Sequence, residues 1–197
     1  MPSKLWKPDS KLVAKVIPAT KFSAGRNGKK IMTVILHSAE TSETTNSAEG
    51  TAGFFHGGSG GASASTHYVL DIDGIIQCVQ EKDRAFGAVG FNYVGIHIEQ
   101  AGRAAQTKAQ WGDAYSSAMI TNQTIPLLAD ICTRRKTSPV FLRSGALLAG
   151  NWDGITTHAE CTKWAKAKGI ATRGHTDPGK DYPIITVIAG VRKAMGL

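Results

Sequence analysis

At 197 residues, 42% hydrophobic and 19% charged, the chain can bury a core as one ordinary domain and has no apolar run long enough to cross a bilayer. Its net charge of +8 implies a polyanionic partner, either nucleic acid or an anionic bacterial cell wall, although the tightest basic cluster is only Arg134-Arg135-Lys136. Cys78, Cys132 and Cys161 are an odd number with no close pair, which argues against a disulfide framework, and residues 1–8 lack the apolar segment of a secretory signal, so a reduced cytoplasm is expected.

Residues 1–30 are polar, basic and proline-containing, and read as an arm packed on the domain by Trp6 and Val13, with a Gly-Arg-Asn-Gly turn at its end. The continuous apolar run 31–36 predicts a central strand buried on both faces and ending at His37. A short helix is expected over 47–56, closed by Gly57-Gly58, and the Gly/Ser-rich stretch 59–65 reads as a flexible loop. Residues 66–70 and 75–79 flank Asp73-Gly74, a hairpin signal. After a loop at 81–90, residues 93–99 alternate as a strand with His97 and Glu99 on one face.

Asp113 is a candidate cap for a helix running to about Arg135, which Pro126 should kink or divide. Residues 140–142 suggest a short strand. Two further helices are expected, a basic one over 160–168 closed by Gly169 and a terminal one over 184–195 closed by Gly196. The fold class is therefore α/β: one domain, a central mixed sheet flanked by helices.

Among the six histidines, His37 at a strand end and His158 on a distant segment pair naturally with Asp177, which the following Pro178-Gly179 holds in a turn. Two imidazoles and a carboxylate would make an open three-ligand metal site with one position left for water. His158 and Asp177 are too far apart for one helix face, so their spacing alone decides nothing. A lone histidine at a strand end is more often structural.

Five segments in order extend this reading: His37-Ser38-Ala39; Ser65-Thr66-His67-Tyr68-Val69-Leu70-Asp71-Ile72-Asp73-Gly74; Gly95-Ile96-His97-Ile98-Glu99-Gln100-Ala101-Gly102; Thr157-His158-Ala159-Glu160; and His175-Thr176-Asp177-Pro178-Gly179. In these the chain resembles the type 2 N-acetylmuramoyl-L-alanine amidases, the family of peptidoglycan recognition proteins and many phage endolysins, over roughly residues 30–190. The resemblance implies a zinc amidase domain over 31–197, with His37, His158 and Asp177 holding one Zn2+. Glu99 matches the family's acidic residue near the metal, a general base, and His175 stands where many relatives have Lys, as an oxyanion stabiliser. Thr66 stands where some relatives carry a catalytic Tyr, and His97 where Gly or Ser is usual. Some relatives use cysteine as the third ligand, which makes Cys161 the rival of Asp177.

The substrate groove is expected to include His67, His97, Asn151 and Trp152, with Trp111 as a further candidate. The resemblance implies bacterial peptidoglycan as partner and cleavage between N-acetylmuramic acid and L-alanine. It also implies a monomer without membrane insertion, made in a host cytoplasm and released to the wall through a holin-type pore. A cytoplasmic muropeptide-recycling amidase and a non-catalytic peptidoglycan-binding module are the alternatives. Nucleic-acid binding has only the charge to support it.

Overall fold

A computed structural model describes residues 6–57 and 63–197. Among them six strands form one sheet: β1 (Lys15–Val16), β2 (Thr33–Ser38), β3 (Tyr68–Leu70), β4 (Ile75–Gln77), β5 (Gly95–Gln100) and β6 (Gly154–Thr157). Their spatial order is β1-β4-β3-β5-β2-β6. The β3–β4 hairpin is antiparallel and every other pairing is parallel, so the sheet is mixed, as expected.

Strand β2 is buried at every residue, as a central strand of a two-sided sheet must be. It starts and ends two residues later than its apolar run suggests, because Leu36, His37 and Ser38 continue the ladder opposite Ile98, Glu99 and Gln100. Side chains alternate between the faces. Val34 and Leu36 face one side with Ile96 and Ile98, packed under α4 (Ile125–Arg135) and α7 (Ile184–Ala194). Ile35 faces the other, with Phe91, Cys161 and Trp164. His37 shares that second face by the same alternation. Helix α1 (Ser47–Gly57) covers the β3–β4 end with Ala48, Ala52 and Phe55.

The expected arm is more closely tied in than a surface segment: Lys15–Val16 adds a parallel edge strand beside Ile76–Gln77, and Arg26 is buried. Most of the predicted Gly/Ser loop lies outside the described residues, but Ser65 within it is buried. Residues 140–142 contribute a single bridge, Phe141 to Ile155, rather than a strand. Helix α2 (Lys108–Trp111) precedes the segment that Asp113 caps through Ser116 N (2.9 Å).

Pro126 divides that segment as predicted. Helix α3 (Ala114–Met119) passes into a π-helical turn over Ile120–Thr124, where the Ile125 amide reaches back to Ile120 O, before α4 begins. The wider turn accommodates a ring that has no N–H and would crowd the preceding carbonyls. Helix α5 (Ser144–Leu148) and α6 (His158–Ala167) complete the set, and α6 starts two residues earlier than expected. No helix among the described residues is long and apolar enough to cross a membrane.

Candidate metal centre

The register of β2 and β5 sets Ile35 opposite His97 and His37 opposite Glu99. Alternation then brings His37, His97 and Glu99 to one face at the C-terminal ends of parallel strands, the usual site of clefts in such sheets. Strand β6 pairs with β2 and delivers His158 as the first residue of α6, whose N-cap Thr157 accepts from Glu160 N. Asp177 sits in a turn closed by Gly179 N to Thr176 O, and its own carbonyl accepts from Ala159 N (2.9 Å), which ties the turn to the start of α6. Gly179 is required there, since a Cβ would stand 2.1 Å from Ala104 O. Gln100 braces both sides: its Nε2 donates to His37 O (3.3 Å), and its Oε1 accepts from Tyr182 and from Thr124 of the π turn.

Ligand atoms of His37, His158 and Asp177 all lie within 4.8 Å of one another, and all three residues are buried. The two Nδ1 atoms face each other at 3.0 Å, and Asp177 Oδ2 lies 3.1 Å from His37 Nδ1 and 3.2 Å from His158 Nδ1. Two imidazole nitrogens and a carboxylate oxygen, aimed at one point, suit a small divalent cation of the zinc type. Burial and the neighbouring His37 lower the pKa of His158, so it is a neutral donor at pH 7. Burial works against ionisation of Asp177, but the two histidines beside its Oδ2 hold its carboxylate well below the usual range.

Glu99 Oε1 is 3.9 Å from His37 Nδ1, and its buried Oε2 has no partner among the described residues. Burial, then the charges of Asp177 and Glu40, push its pKa up to about 8. His175 stacks on His158 at 4.0 Å with Nδ1 3.7 Å from Asp177 Oδ1, and is 44% exposed to the cleft. Burial and His158 hold it below its ordinary pKa, so it presents mainly a neutral ring. The cleft above these residues has a volume of about 760 Å³, with Phe54, Val89 and Arg173 among its walls.

A family model described as N-acetylmuramoyl-L-alanine amidase matches residues 27–180. The chain belongs to this family. The amidase is 30% identical over 174 residues to N-acetylmuramoyl-L-alanine amidase A of Achromobacter lyticus, an alignment covering 84% of this chain and 86% of that one. Among solved structures it shares a fold with Staphylococcus aureus hydrolase AmiA (TM-score 0.62, 17% identity, 97% of this chain and 87% of that one). A selenomethionine derivative of AmpD matches similarly (0.61, 17%, 95% and 99%), as does a mutant endolysin from Bacillus subtilis (0.56, 15%, 91% and 99%).

The groove expected from the sequence needs correction. Asn151 and Trp152 precede β6, so they lie at the N-terminal edge of the parallel strands, a strand length from the cleft at the other end. Trp152 stacks on Phe91 (4.6 Å), while Asn151 lines a separate depression with Met32 and Val140. His67 is fully buried, its Nε2 3.2 Å from Asp83 O and 2.8 Å from Arg26 Nη2, and cannot touch a substrate. His97 is also fully buried and lies behind His37, with Nδ1 3.1 Å from His37 Nε2.

Trp111 is a core side chain set edge-on to Tyr182. Cys161 belongs to the apolar cluster with Ile35 and Trp164, where burial pushes its thiol pKa well up, and it is not part of the group formed by His37, His158 and Asp177. Thr66 is buried and donates to His97 O (2.9 Å). Sequence reasoning missed Phe54, Val89 and Arg173. For Phe54 the local signal was a pair of aromatics on a short helix, of which only Phe55 can face inward.

Proposed function

We propose that the amidase is a zinc hydrolase of bacterial peptidoglycan, cleaving the amide between N-acetylmuramic acid and L-alanine, with His37, His158 and Asp177 as the ligands. The observation that carries this is the convergence of those three ligand atoms beside a glutamate whose buried oxygen has no partner among the described residues. A bound zinc ion supplies Lewis-acid polarisation of the scissile carbonyl and eases deprotonation of the attacking water.

The chain's own residues do the rest. The Glu99 carboxylate takes the proton of the attacking water and returns it to the departing amine of L-alanine. Without a cation its pKa is pushed up to about 8, and a dication held beside it would lower this so that the carboxylate is free to accept the proton. His175, at the cleft rim, donates an N–H to the oxygen on which negative charge develops. Phe54 and Val89 offer apolar wall to sugar and lactyl groups, and Arg173 offers a cation to the stem peptide's carboxylates.

For the setting we favour a phage endolysin, made in the host cytoplasm and acting on the wall after release. The net charge of +8 supports attraction to an anionic wall, which a recycling enzyme for soluble muropeptides does not need. The deciding experiment measures bound zinc and cell-wall digestion, with and without chelator, for the wild type and His158→Ala. Loss of both in the variant is expected. Retained zinc with intact digestion would overturn the ligand set.

A further inference from the structure

Five imidazoles run in file from the cleft inward. His175 stacks on His158, His158 meets His37 edge-on (4.5 Å), His37 lies 5.3 Å from His97, and His97 stacks on His67 (5.7 Å, 14° between planes). The proposed reaction uses the first three and gives His97 no task.

Yet His97 is held with unusual care. Its carbonyl accepts from Thr66 Oγ1 (2.9 Å) and His67 N (3.1 Å), and its amide donates to His67 Nδ1 (3.0 Å). One glycine makes the slot for its ring: a Cβ at Gly87 would stand 2.5 Å from His97 Nδ1 and 2.6 Å from its Cγ. So placed, His97 Nδ1 makes the single hydrogen-bond contact of His37 Nε2 among the described residues, while His97 Nε2 has no partner.

A neutral imidazole carries one N–H. For His37 to offer a bare Nδ1 beside His158 and Asp177, its proton must sit on Nε2, and whatever faces Nε2 must accept it. With His97 Nδ1 as acceptor, the proton of His97 is confined to its own Nε2. The opposite arrangement, His97 Nδ1–H donating to His37 Nε2, would put a proton on His37 Nδ1 and direct it at Asp177 Oδ2, closing the site to a cation.

We propose that His97 is a positioning residue for the metal centre: its Nδ1 accepts the His37 Nε2–H bond and so fixes the ring orientation and the tautomer with which His37 meets a divalent cation. The proposal rests on the ligand set given above. It differs from the common carboxylate support in adding no negative charge behind the ligand.

The test uses the full chain and Zn2+ alone, with zinc affinity read by competition against a chromophoric chelator and the fold checked by circular dichroism. His97→Leu removes the acceptor, and His97→Gln carries its amide out to the Nε2 position. Each should weaken zinc binding by about 10- to 100-fold. His97→Asn places an amide oxygen near the lost Nδ1 and should restore most of the affinity. In 15N spectra of the zinc-loaded wild type, His97 should show a bare Nδ1 and a protonated Nε2.

A folded His97→Leu with wild-type affinity, or a proton on His97 Nδ1 in the loaded protein, overturns the proposal. If His97→Leu does not fold, the spectra of the wild type decide. His158→Ala separates this failure from that of the ligand set. Zinc lost in His158→Ala but kept in His97→Leu sinks only the role of His97, whereas zinc kept in His158→Ala sinks both.

Discussion

Glu81 and Glu99 are both enclosed by this fold, and their carboxylates end at opposite extremes. Glu81 is fully buried and receives Tyr68 OH, both Nη atoms of Arg134 (2.8 and 2.9 Å) and Arg135. Burial alone would raise its pKa, but the hydrogen bonds from Arg134 and Tyr68, with the two arginine charges, hold it at about 2. Among the described residues Glu99 receives no comparable donors and leaves one buried oxygen bare, and its pKa is pushed up to about 8. The first cluster is complete in itself and serves stability. The second is incomplete without something from outside, the signature of a working site.

Glu99→Gln should give the sharpest separation between the two. If Glu99 carries the proton, turnover of a muropeptide amide should fall by about 10²- to 10⁴-fold. Bound zinc should be retained, and the melting temperature should hold or rise, because a neutral amide replaces a poorly solvated acid. Substantial remaining turnover would remove Glu99 from the reaction.

Glu81→Gln should do the reverse. Removing one member of a buried ion cluster costs about 3–5 kcal/mol. Arg134 and Arg135 are about one-third exposed and can rehydrate, so the lower end is expected, read from urea unfolding. Turnover of the folded fraction should not change. A cost below about 1 kcal/mol would show the cluster to be an ordinary surface pair.

The same cluster sets a pH dependence. The pKa of Glu81 is depressed on folding, from 4.5 to about 2, so its contribution is complete above 4.5 and is lost as pH falls toward 2. That loss should be on the order of 3 kcal/mol in urea midpoints taken across the window, and Glu81→Gln should flatten it. His67 acts in the same direction from higher pH. Burial, then Arg26, lower its pKa from 6.5 to about 3, so below 6.5 the unfolded chain gains a proton that the folded chain refuses.

Little of the Glu81 cluster was legible in the sequence, because Glu81 sits in a loop and its arginine partners are 53 and 54 residues away with no periodicity linking them. The other cluster was legible in part. His37 ends an apolar run and Asp177 precedes Pro-Gly, which made them candidates, but Glu99 and His175 took their roles only from the five-segment resemblance. The central strand, the Asp-Gly hairpin and the terminal helix were visible from short-range patterns.

Strands β1 and β6 and helices α2 and α5 were not, since elements of two to five residues are too short to show a period. Nor could the sequence tell which end of β6 meets the cleft. That depends on its parallel pairing with β2, and it is why Asn151 and Trp152 were placed in the groove. The glycine that makes room for His97 was equally silent, because Gly87 has meaning only once the ring stands against it.

The finest test concerns the two candidate rims. Phe54 is 49% exposed on the cleft wall, so truncating it removes apolar contact with substrate but little of the core. Phe54→Ala should raise KM about fivefold, near 1 kcal/mol of lost apolar contact, with kcat steady and stability nearly unchanged. Asn151 is exposed at the other end of the strands, against Met32 and Val140, and its side chain reaches no part of the cleft. Asn151→Ala should leave KM unaltered and stability within about 0.5 kcal/mol. If KM rose with Asn151→Ala and not with Phe54→Ala, substrate would be bound at the N-terminal edge of the sheet, and the carboxylate left bare at the C-terminal edge would need a different explanation.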